Sequence, residues 1–462
     1  MNWIPKIHFE ISERKVLLRL FDVVFIFSML ALVSGLFDFD YFYLSTTRWT
    51  WALLLLLYYF IFAAIFELYD LQKAASFQST LKSGVLAISS TVLFFILTPF
   101  FSPVLPENRL QIVFFFMAMV SGLLIWRYAY ISLISAPRFN KRILLVGNSF
   151  DINLIAQNLH KADPNYRVIG FVNTDNIKAS GFDRRLKSIE VGELIKSIRR
   201  YSVSEIVVSS TSKGVSVELY NQLIKLLEEG FPIREYTQVY EEITHRVPVQ
   251  HVERDFYKYF PFSRSNKNRF YLFISGFFNA FFAIVVLVLT LVLLPLILLG
   301  NLIANPGPLI YRQKRVGMNG KVFEILKFRT MVIDAEADGA QYAKKKDRRI
   351  TPFGKILRNT RLDEIPQCIN ILKGDMSLIG PRPERPVFVK KLSEEIPFYE
   401  IRHVVKPGLT GWAQVRGRYA ESVDDTLEKL QYDLYYIKHR SFFLDLNILL
   451  KTISTVIYYR GQ

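Results

Sequence analysis

The stretch Phe270–Asn305, FYLFISGFFNAFFAIVVLVLTLVLLPLILLGNLIAN, runs for 36 residues without a charged side chain. A helix of this length extends for about 54 Å, whereas the hydrocarbon core of a bilayer is about 30 Å thick. The segment is therefore predicted to lie in a membrane, and it is longer than a simple crossing requires.

Basic residues flank this segment on both sides. They are Arg254, Lys258, Arg264, Lys267 and Arg269 before it, and Arg312, Lys314, Arg315, Lys321, Lys327 and Arg329 after it. Because Lys and Arg gather on the cytoplasmic side, a straight span would place one cluster outside. Pro295 removes one backbone donor and frees the carbonyl of Leu291, which favours a bend. We predict a helix that enters from the cytoplasm, bends near Pro295 and returns. A tilted span with a proline kink is the alternative.

Four more apolar blocks precede residue 135. They are Val16–Phe37, Trp49–Tyr69, Ser83–Phe101 and Leu110–Leu133. Each is long enough to span a bilayer, so residues 1–135 are predicted to form a four-helix transmembrane region. Basic residues before the first block and from Arg127 onward, after the fourth, favour an N-in topology with the rest of the chain in the cytoplasm.

Strands and helices alternate between residues 138 and 262, which predicts a Rossmann-like α/β domain. The predicted strands are Arg142–Val146, Tyr166–Val172 and Glu205–Ser209, and the predicted helices are Phe150–His160, Val191–Arg200 and Val217–Glu229. GNSFDI (147–152) keeps one glycine of the three in a dinucleotide fingerprint. Nucleotide binding here stays one interpretation, and a regulatory or oligomerising module is favoured over it.

Composition narrows the class of protein. The 462 residues are 51% hydrophobic and include 58 Lys+Arg against 41 Asp+Glu, a formal net charge of +17. Apolar residues in long blocks indicate a membrane protein, and the excess of cations fits anionic headgroups or acidic substrates. We expect no nucleic-acid partner. The lone Cys368 excludes a disulfide framework and agrees with a reducing compartment.

Residues 265–462 carry the candidate chemistry. Four clusters are prominent there: KFRTM (327–331), LDEIPQ (362–367), GDMSLIGPRP (374–383) and PGLTGWAQV (407–415). Thr360 and Asp363 have the spacing of a capping box, and Gly374 is placed to end the helix that follows. On pattern alone, two interpretations of Asp363 and Glu364 stay open. They complement a helix dipole, or they act as a phosphorus nucleophile and Mg²⁺ ligands beside Arg358.

Three other cations belong to these clusters. Arg382 lies between two prolines, on a stiff backbone suited to bidentate phosphate binding. Lys327 and Arg329 are two residues apart, so they share a face, and could bind one anion, only in an extended segment. Taken singly, each cation is more often an ordinary solvated charge.

Taken together, the clusters resemble the bacterial sugar transferase family, also called polyprenyl-phosphate hexose-1-phosphate transferases or monotopic phosphoglycosyl transferases. The resemblance covers about residues 265–462, and the whole chain is similar to large members such as undecaprenyl-phosphate glucose phosphotransferases. It implies a mainly helical C-terminal catalytic domain whose re-entrant helix, at 270–305, is broken at Pro295. The family often has serine before that proline, and Leu294 stands there instead.

The resemblance also implies a reaction. Asp363 would attack the β-phosphorus of a UDP-sugar, release UMP and carry the sugar phosphate covalently until undecaprenyl phosphate takes it over. Glu364 would position the nucleophile or the metal, or assist proton transfer. Arg358 and Arg382 would hold phosphate oxygens, and Lys327 and Arg329 are further candidates for phosphate binding. Mg²⁺, held by Asp363 and Glu364, would screen the diphosphate.

Partners and location follow from the same resemblance. We expect a UDP-hexose, guessed as glucose or galactose, and undecaprenyl phosphate, at the cytoplasmic face of a bacterial inner membrane, in the first step of exopolysaccharide, capsule or O-antigen synthesis. A homodimer stays open. Two other classes compete with this one. They are a membrane-tethered nucleotide-sugar or NAD binding protein or oxidoreductase acting through the middle domain, and a transporter or scaffold without chemistry.

Overall fold

The computed structural model describes residues 11–37, 39, 41–42, 48–133, 141–147, 152, 155–157, 159, 166–173, 186–209, 216–249, 268–335, 347–417 and 423–457. The chain divides into two compact units, Met1–Thr244 and His245–Gln462. The finer division into segments 1–135, 138–262 and 265–462 stays a prediction.

The first unit begins with apolar helices that match the four predicted blocks. They are α1 (Ile11–Leu36), α2 (Trp49–Ile65), the short α3 (Leu71–Ala74), α4 (Phe77–Ile96) and α5 (Leu110–Leu133). By length and composition, α1, α4 and α5 could each cross a membrane, while α2 has 17 residues and is shorter. Four apolar helices in this region are thus confirmed, and they mark a membrane protein.

An ion pair lies inside this helix bundle. Arg127, on α5, donates from Nε and Nη2 to the two carboxylate oxygens of Asp22, on α1, at 2.9 and 2.7 Å, and both side chains are 0% exposed. The hydroxyl of Tyr59 donates to Asp22 Oδ2 at 2.8 Å, and Arg127 Nη1 donates to the carbonyl of Leu68 at 3.1 Å. Counting Arg127 among the charges that follow the fourth block was therefore wrong, because it lies within α5 and its charge is neutralised there.

A parallel sheet forms the rest of the first unit. Its strands are β1 (Lys141–Gly147), β2 (Tyr166–Asn173), β3 (Lys187–Ser188), β4 (Glu205–Val208) and β5 (Ile233–Glu235). Their order, β3-β2-β1-β4-β5 with every pair parallel, is that of a doubly wound nucleotide-binding fold. The described helices beside it are α6 (Leu194–Tyr201), α7 (Val217–Glu228) and α8 (Tyr236–Thr244). The predicted α/β region is confirmed.

The glycine that ends β1 has a packing role. A Cβ atom on Gly147 would lie 2.8 Å from the Cβ of Ser209, so glycine is needed where β1 and β4 end side by side. Residues 148–151 of the degraded fingerprint, and most of the helix predicted after it, lie outside the described residues. The presence of Gly147 therefore does not by itself indicate a bound nucleotide.

The second unit is built on one long helix, α9 (Arg269–Ala304), which continues through Pro295. Its buried residues Ala283, Thr290 and Ile297 recur every seven positions, which places them on one stripe of the helix. The remaining faces expose large apolar side chains such as Phe273, Val292 and Leu302. Only one stripe of this helix thus packs against protein.

Further strands and helices complete the second unit. They are the antiparallel hairpin β6 (Ile310–Val316) and β7 (Val322–Phe328), the parallel pair β8 (Ser377–Ile379) and β9 (Gly408–Thr410), and the helices α10 (Pro352–Asn359), α11 (Gln367–Lys373), α12 (Pro386–Glu395), α13 (Trp412–Arg416), α14 (Val423–His439) and α15 (Phe442–Ile457). Helices dominate, as the resemblance implies for residues 265–462.

Candidate active site

The two candidate acids lie in a tight turn between α10 and α11. Arg361 has a left-handed backbone conformation, with φ of 59°, and Leu362–Glu364 then form a single 3₁₀ turn. The predicted capping box is wrong, because the hydroxyl of Thr360 donates backward to the carbonyl of Ile356 at 2.8 Å and closes α10. Gly374, with φ of 84°, ends α11 as predicted.

Glu364 forms ion pairs with two of the predicted cations. Lys327 Nζ lies 2.9 Å and Arg382 Nη2 lies 2.8 Å from the same oxygen, Glu364 Oε1. Burial by itself would raise the pKa of Glu364, but Arg382 and Lys327 outweigh it and hold that pKa well below its usual range. The carboxylate of Glu364 is therefore ionised and charge-compensated.

Asp363 experiences a different balance of charge. Its side chain is 8% exposed, and burial raises the pKa of its carboxyl, as does the negative charge of Glu364. Lys327, Arg358 and Arg382 oppose that rise without reversing it. Within the part of the chain that the structure describes, no hydrogen bond reaches the Asp363 carboxylate. Weakly stabilised charge of this kind favours nucleophilic or proton-transfer chemistry.

Arg358 is placed beside this acid by α10. Its Nε donates to Thr330 Oγ1 at 2.9 Å, and its charge lowers the pKa of Asp363. Gly354 allows α10 to approach this closely, because a Cβ atom there would collide with the carbonyl of Thr330. The KFRTM segment and α10 thus meet next to the two acids.

Arg329 is the predicted cation that the structure does not bring to the acids. Its guanidinium donates to the carbonyls of Pro308 at 2.8 Å and Met331 at 3.0 Å, and to Asn305 Oδ1 at 2.8 Å. Lys327 lies in β7 and Arg329 directly follows that strand, and the two side chains contact different partners. The described contacts of Arg329 fasten the end of α9 to the strand that carries Lys327.

Arg382 follows a close crossing of two backbone segments. Cβ atoms on Gly380 or Gly411 would collide with opposing carbonyls, those of Lys406 and Gly380 respectively, so β8 and β9 can pair only because both positions are glycine. The GPRP and PGLTG motifs are thus one structural unit. The side chain of Arg382 remains 40% exposed, which leaves its guanidinium accessible to an anion.

Two asparagines that the sequence analysis did not single out hold the strands in place. Asn370, on α11, accepts from Leu326 N at 3.0 Å and donates to the carbonyl of Glu324 at 2.7 Å, so it fixes β7. Asn279, on α9, accepts from Leu378 N at 3.0 Å and donates to Ser377 Oγ at 3.0 Å, so it fixes β8. For Asn279, the available signal was an amide inside an otherwise apolar helix.

The donor set for a metal ion is small. Among the described residues there is no group of three or more His, Cys, Asp or Glu side chains that could hold a metal. Asp363 and the second carboxylate oxygen of Glu364 could supply ligands, and Mg²⁺ is commonly bound by one or two carboxylates plus substrate phosphates. These residues fit a magnesium ion that arrives with a diphosphate.

The site as a whole combines one compensated carboxylate, one poorly compensated carboxylate and three cations. Such a cluster can attract an anionic phosphate ester to its cations, beside the carboxylate of Asp363. This arrangement suits phosphoryl or glycosyl-phosphoryl transfer.

Comparison with protein families matches residues 270–459 to the bacterial sugar transferase family. An Aeromonas hydrophila protein named UDP-N-acetylgalactosamine-undecaprenyl-phosphate N-acetylgalactosaminephosphotransferase is 42% identical over 228 residues, covering 49% of this chain and 52% of that protein. The chain thus spans about half the length of this relative.

Two further relatives match the C-terminal part of the chain. A Bacillus subtilis (strain 168) protein, provisionally named an undecaprenyl-phosphate N-acetylgalactosaminyl 1-phosphate transferase, is 47% identical over 141 residues, 30% of this chain and 79% of that protein. An Escherichia coli (strain K12) protein named UDP-glucose:undecaprenyl-phosphate glucose-1-phosphate transferase is 43% identical over 155 residues, 33% of each chain.

Proposed function

The chain belongs to the bacterial sugar transferase family, and from this premise we propose that it transfers a hexose-1-phosphate from a UDP-sugar to undecaprenyl phosphate, with release of UMP. The names of the relatives, which pair undecaprenyl phosphate with different sugars, support the acceptor and leave several hexoses as donors. UDP-glucose, UDP-galactose and UDP-N-acetylgalactosamine are the donors to test first.

The observation that carries this proposal is the convergence of Lys327 and Arg382 on Glu364 beside Asp363. In the first step, a carboxylate oxygen of Asp363 forms a bond to the β-phosphorus of the donor, the bond from that phosphorus to the bridging oxygen breaks, and UMP leaves. In the second step, an oxygen of undecaprenyl phosphate attacks the same phosphorus, and the carboxylate of Asp363 leaves. Atoms and charges balance in both steps.

The cations make two successive attacks by anions feasible. Direct attack of one phosphate on another has a high barrier because the two anions repel each other. A covalent aspartyl intermediate replaces this single step by two steps with lower barriers. Arg382, Lys327 and Arg358 would neutralise the phosphate oxygens in each step. Glu364 holds the first two cations in place before the donor arrives, and we assign it that positioning role.

Magnesium is the cofactor that we propose. Asp363 and Glu364 would hold the ion, and when bound it supplies positive charge to the donor diphosphate. Chelation with EDTA should stop UMP release, and added Mg²⁺ should restore it. Undiminished release in EDTA would remove the metal from the proposal.

We also propose that α9 enters and leaves the membrane on the same, cytoplasmic, side. Contacts with one compact unit along its whole length support this. Tyr271, near the start of α9, donates a hydrogen bond to Asp445, and Ile297, near its end, packs with Phe328 and Leu357. A helix that crossed the bilayer would carry its second half away from a domain that binds its first half.

Labelling of single cysteines tests this topology. In a Cys368→Ala background, cysteines placed at Lys267 and Arg312 should react with an impermeant reagent from the cytoplasmic side only. Reaction from opposite sides of the inner membrane would make α9 a through-span.

Mass spectrometry tests the reaction itself. Incubation with a UDP-sugar alone should release up to one equivalent of UMP and leave a sugar-phosphate adduct on Asp363. Addition of a short polyprenyl phosphate should remove the adduct and allow turnover. Consumption of the donor without an adduct on Asp363 would disprove the covalent mechanism.

A further inference from the structure

The segment Pro381–Pro383 is held through three consecutive backbone carbonyls. The carbonyl of Pro381 accepts from Gly408 N at 2.9 Å, and the carbonyl of Pro383 accepts from Arg315 Nη1 at 3.0 Å. The carbonyl of Arg382 itself accepts from Arg402 Nη2 at 2.9 Å. Prolines restrict the backbone on both sides of Arg382. These contacts therefore fix the position and direction of its Cα–Cβ bond.

Arg402 is in turn held by two buried groups. Its Nη2 also donates to Asp433 Oδ2 at 2.8 Å, and its Nη1 donates to the hydroxyl of Tyr399 at 2.6 Å. Arg402 is 7% exposed and Asp433 is 2% exposed. Asp433 lies on α14, while Tyr399 and Arg402 belong to one short 3₁₀ segment, Tyr399–Val404. A chain of contacts thus runs from α14 through Arg402 to the backbone of Arg382.

This buried pair is a poor source of stability. Removing two charges from water is costly, and the attraction between them often only offsets that cost. Moreover, the Nε of Arg402 is buried without a hydrogen-bond partner among the described residues, and an unmet buried donor is destabilising. What the pair does provide is a fixed donor aimed at the carbonyl of Arg382. An apolar pair could not supply that donor.

We propose that Arg402, held by Asp433 and Tyr399, is the positioning residue that keeps the guanidinium of Arg382 against Glu364 and so sets the affinity of the site for the donor diphosphate. The inference rests on the proposed function of Arg382 as a phosphate ligand. Arg402 acts only through Arg382 and does not touch the substrate.

Arg402→Lys is the main test, because a compact lysine ammonium cannot reach all three acceptors that the planar guanidinium contacts. We expect kcat/KM for the UDP-sugar to fall about 10- to 100-fold, largely as a higher KM, and UMP to bind more weakly. Arg382→Lys should give a similar loss. In the double variant Arg382→Lys/Arg402→Lys, kcat/KM should be at most about threefold lower than in the more impaired single variant, because the two residues act as one unit.

Arg440→Lys is the matched control. Arg440 is another buried arginine of the same unit, and its Nε donates to the hydroxyl of Tyr271 at 3.1 Å. If general loss of a buried guanidinium were responsible, Arg440→Lys would lower kcat/KM as much as Arg402→Lys does. We expect it to leave KM for the UDP-sugar within about twofold of the wild-type value.

Tyr399→Phe is a second, milder variant that tests the same inference if Arg402→Lys fails to fold. It removes a single hydrogen bond from Arg402 and preserves the ring. We expect a two- to threefold lower kcat/KM in the wild-type background, an effect of about 0.5 kcal/mol, and no further loss in the Arg382→Lys background.

The outcomes separate this inference from the proposal on which it rests. If Arg382→Lys retains wild-type kcat/KM and UMP affinity, Arg382 is not a phosphate ligand and that part of the proposed function fails. Suppose instead that Arg382→Lys lowers kcat/KM, and that Arg402→Lys or Tyr399→Phe lowers it by its full factor again in that background. Arg402 then acts independently of Arg382, and this inference is overturned.

Discussion

Two buried ionic clusters, one in each unit of the chain, differ in how their charges balance. In the helix bundle, Asp22 and Arg127 are fully buried, one carboxylate facing one guanidinium, with Tyr59 and Leu68 as further partners. In the candidate active site, Glu364 forms ion pairs with Lys327 and Arg382. Asp363 beside it has cations nearby, but its carboxylate makes no hydrogen bond among the described residues.

The difference separates a structural cluster from a reactive one. A fully satisfied pair has little to gain from a ligand, and it resists any change that removes one partner. An acid whose charge is poorly stabilised can gain by forming a bond to phosphorus, and cations that share one carboxylate oxygen can gain by turning to a phosphate. Four predictions test this contrast, in order of decreasing effect.

Asp363→Asn should reduce UMP release about 10⁴-fold or more, because an amide cannot serve as the nucleophile. The matched control is Asp334→Asn, which changes an exposed aspartate of the same unit and should leave turnover unchanged. Initial rates with a UDP-sugar and a short polyprenyl phosphate give the measurement. Turnover by the Asp363→Asn variant within tenfold of wild type would remove Asp363 from the role of nucleophile.

Arg127→Leu should destabilise the helix bundle by about 3–5 kcal/mol, because Asp22 would be left buried without its counter-ion. Replacing both residues by leucine should recover most of that loss. Unfolding in detergent, followed by circular dichroism, measures the change. A double variant no more stable than the single one would contradict a purely structural pair.

Glu364→Gln should lower kcat/KM about 10²-fold, because Lys327 and Arg382 lose the charge that holds them together. Glu395→Gln, which changes an exposed residue whose described ion pair is with Lys391 in α12 at 3.7 Å, serves as the control. A loss as large as that of Asp363→Asn would instead give Glu364 a direct part in the bond-making step.

The smallest expected effect is on the pH profile. The nucleophile must be ionised, and burial and Glu364 raise the pKa of Asp363, so kcat/KM should fall on the acid side at a pH above the usual range for aspartate. Removing the charge of Glu364 in Glu364→Gln takes away one cause of that rise. The acid limb of this variant should therefore shift to lower pH, and a shift to higher pH would contradict the assignment.

Local pattern was sufficient for the elements of the fold. Apolar length predicted the helices near Val16–Phe37 and Leu110–Leu133, and alternation of strands with helices predicted the parallel sheet. These signals are local, because the spacing of apolar residues within one short segment is enough to predict a helix or a strand there. The resemblance carried by LDEIPQ and the three other clusters, rather than local pattern, suggested one site for the acids and cations, and the structure brings Lys327, Arg358 and Arg382, but not Arg329, near the acids.

Pattern failed where partners are distant in sequence. Arg127 has the place of a flanking charge but pairs with Asp22, 105 residues away. Arg329 lies in the motif beside Lys327, yet its described partners are Asn305, Pro308 and Met331. In each case a side chain found a partner that tertiary packing brought to it.

The amino-acid sequence by itself thus determined the apolar helices, the α/β region and the chemical types present at the site, because hydrophobic periodicity and residue chemistry are properties of short segments. Tertiary structure alone decided which cation meets which carboxylate, and hence why Asp363 rather than Glu364 is left weakly compensated. That decision depends on distances of a few ångströms between segments such as β7, the turn at residues 362–364 and the loop after β8, and Coulomb energies change steeply over such distances in a poorly solvated site.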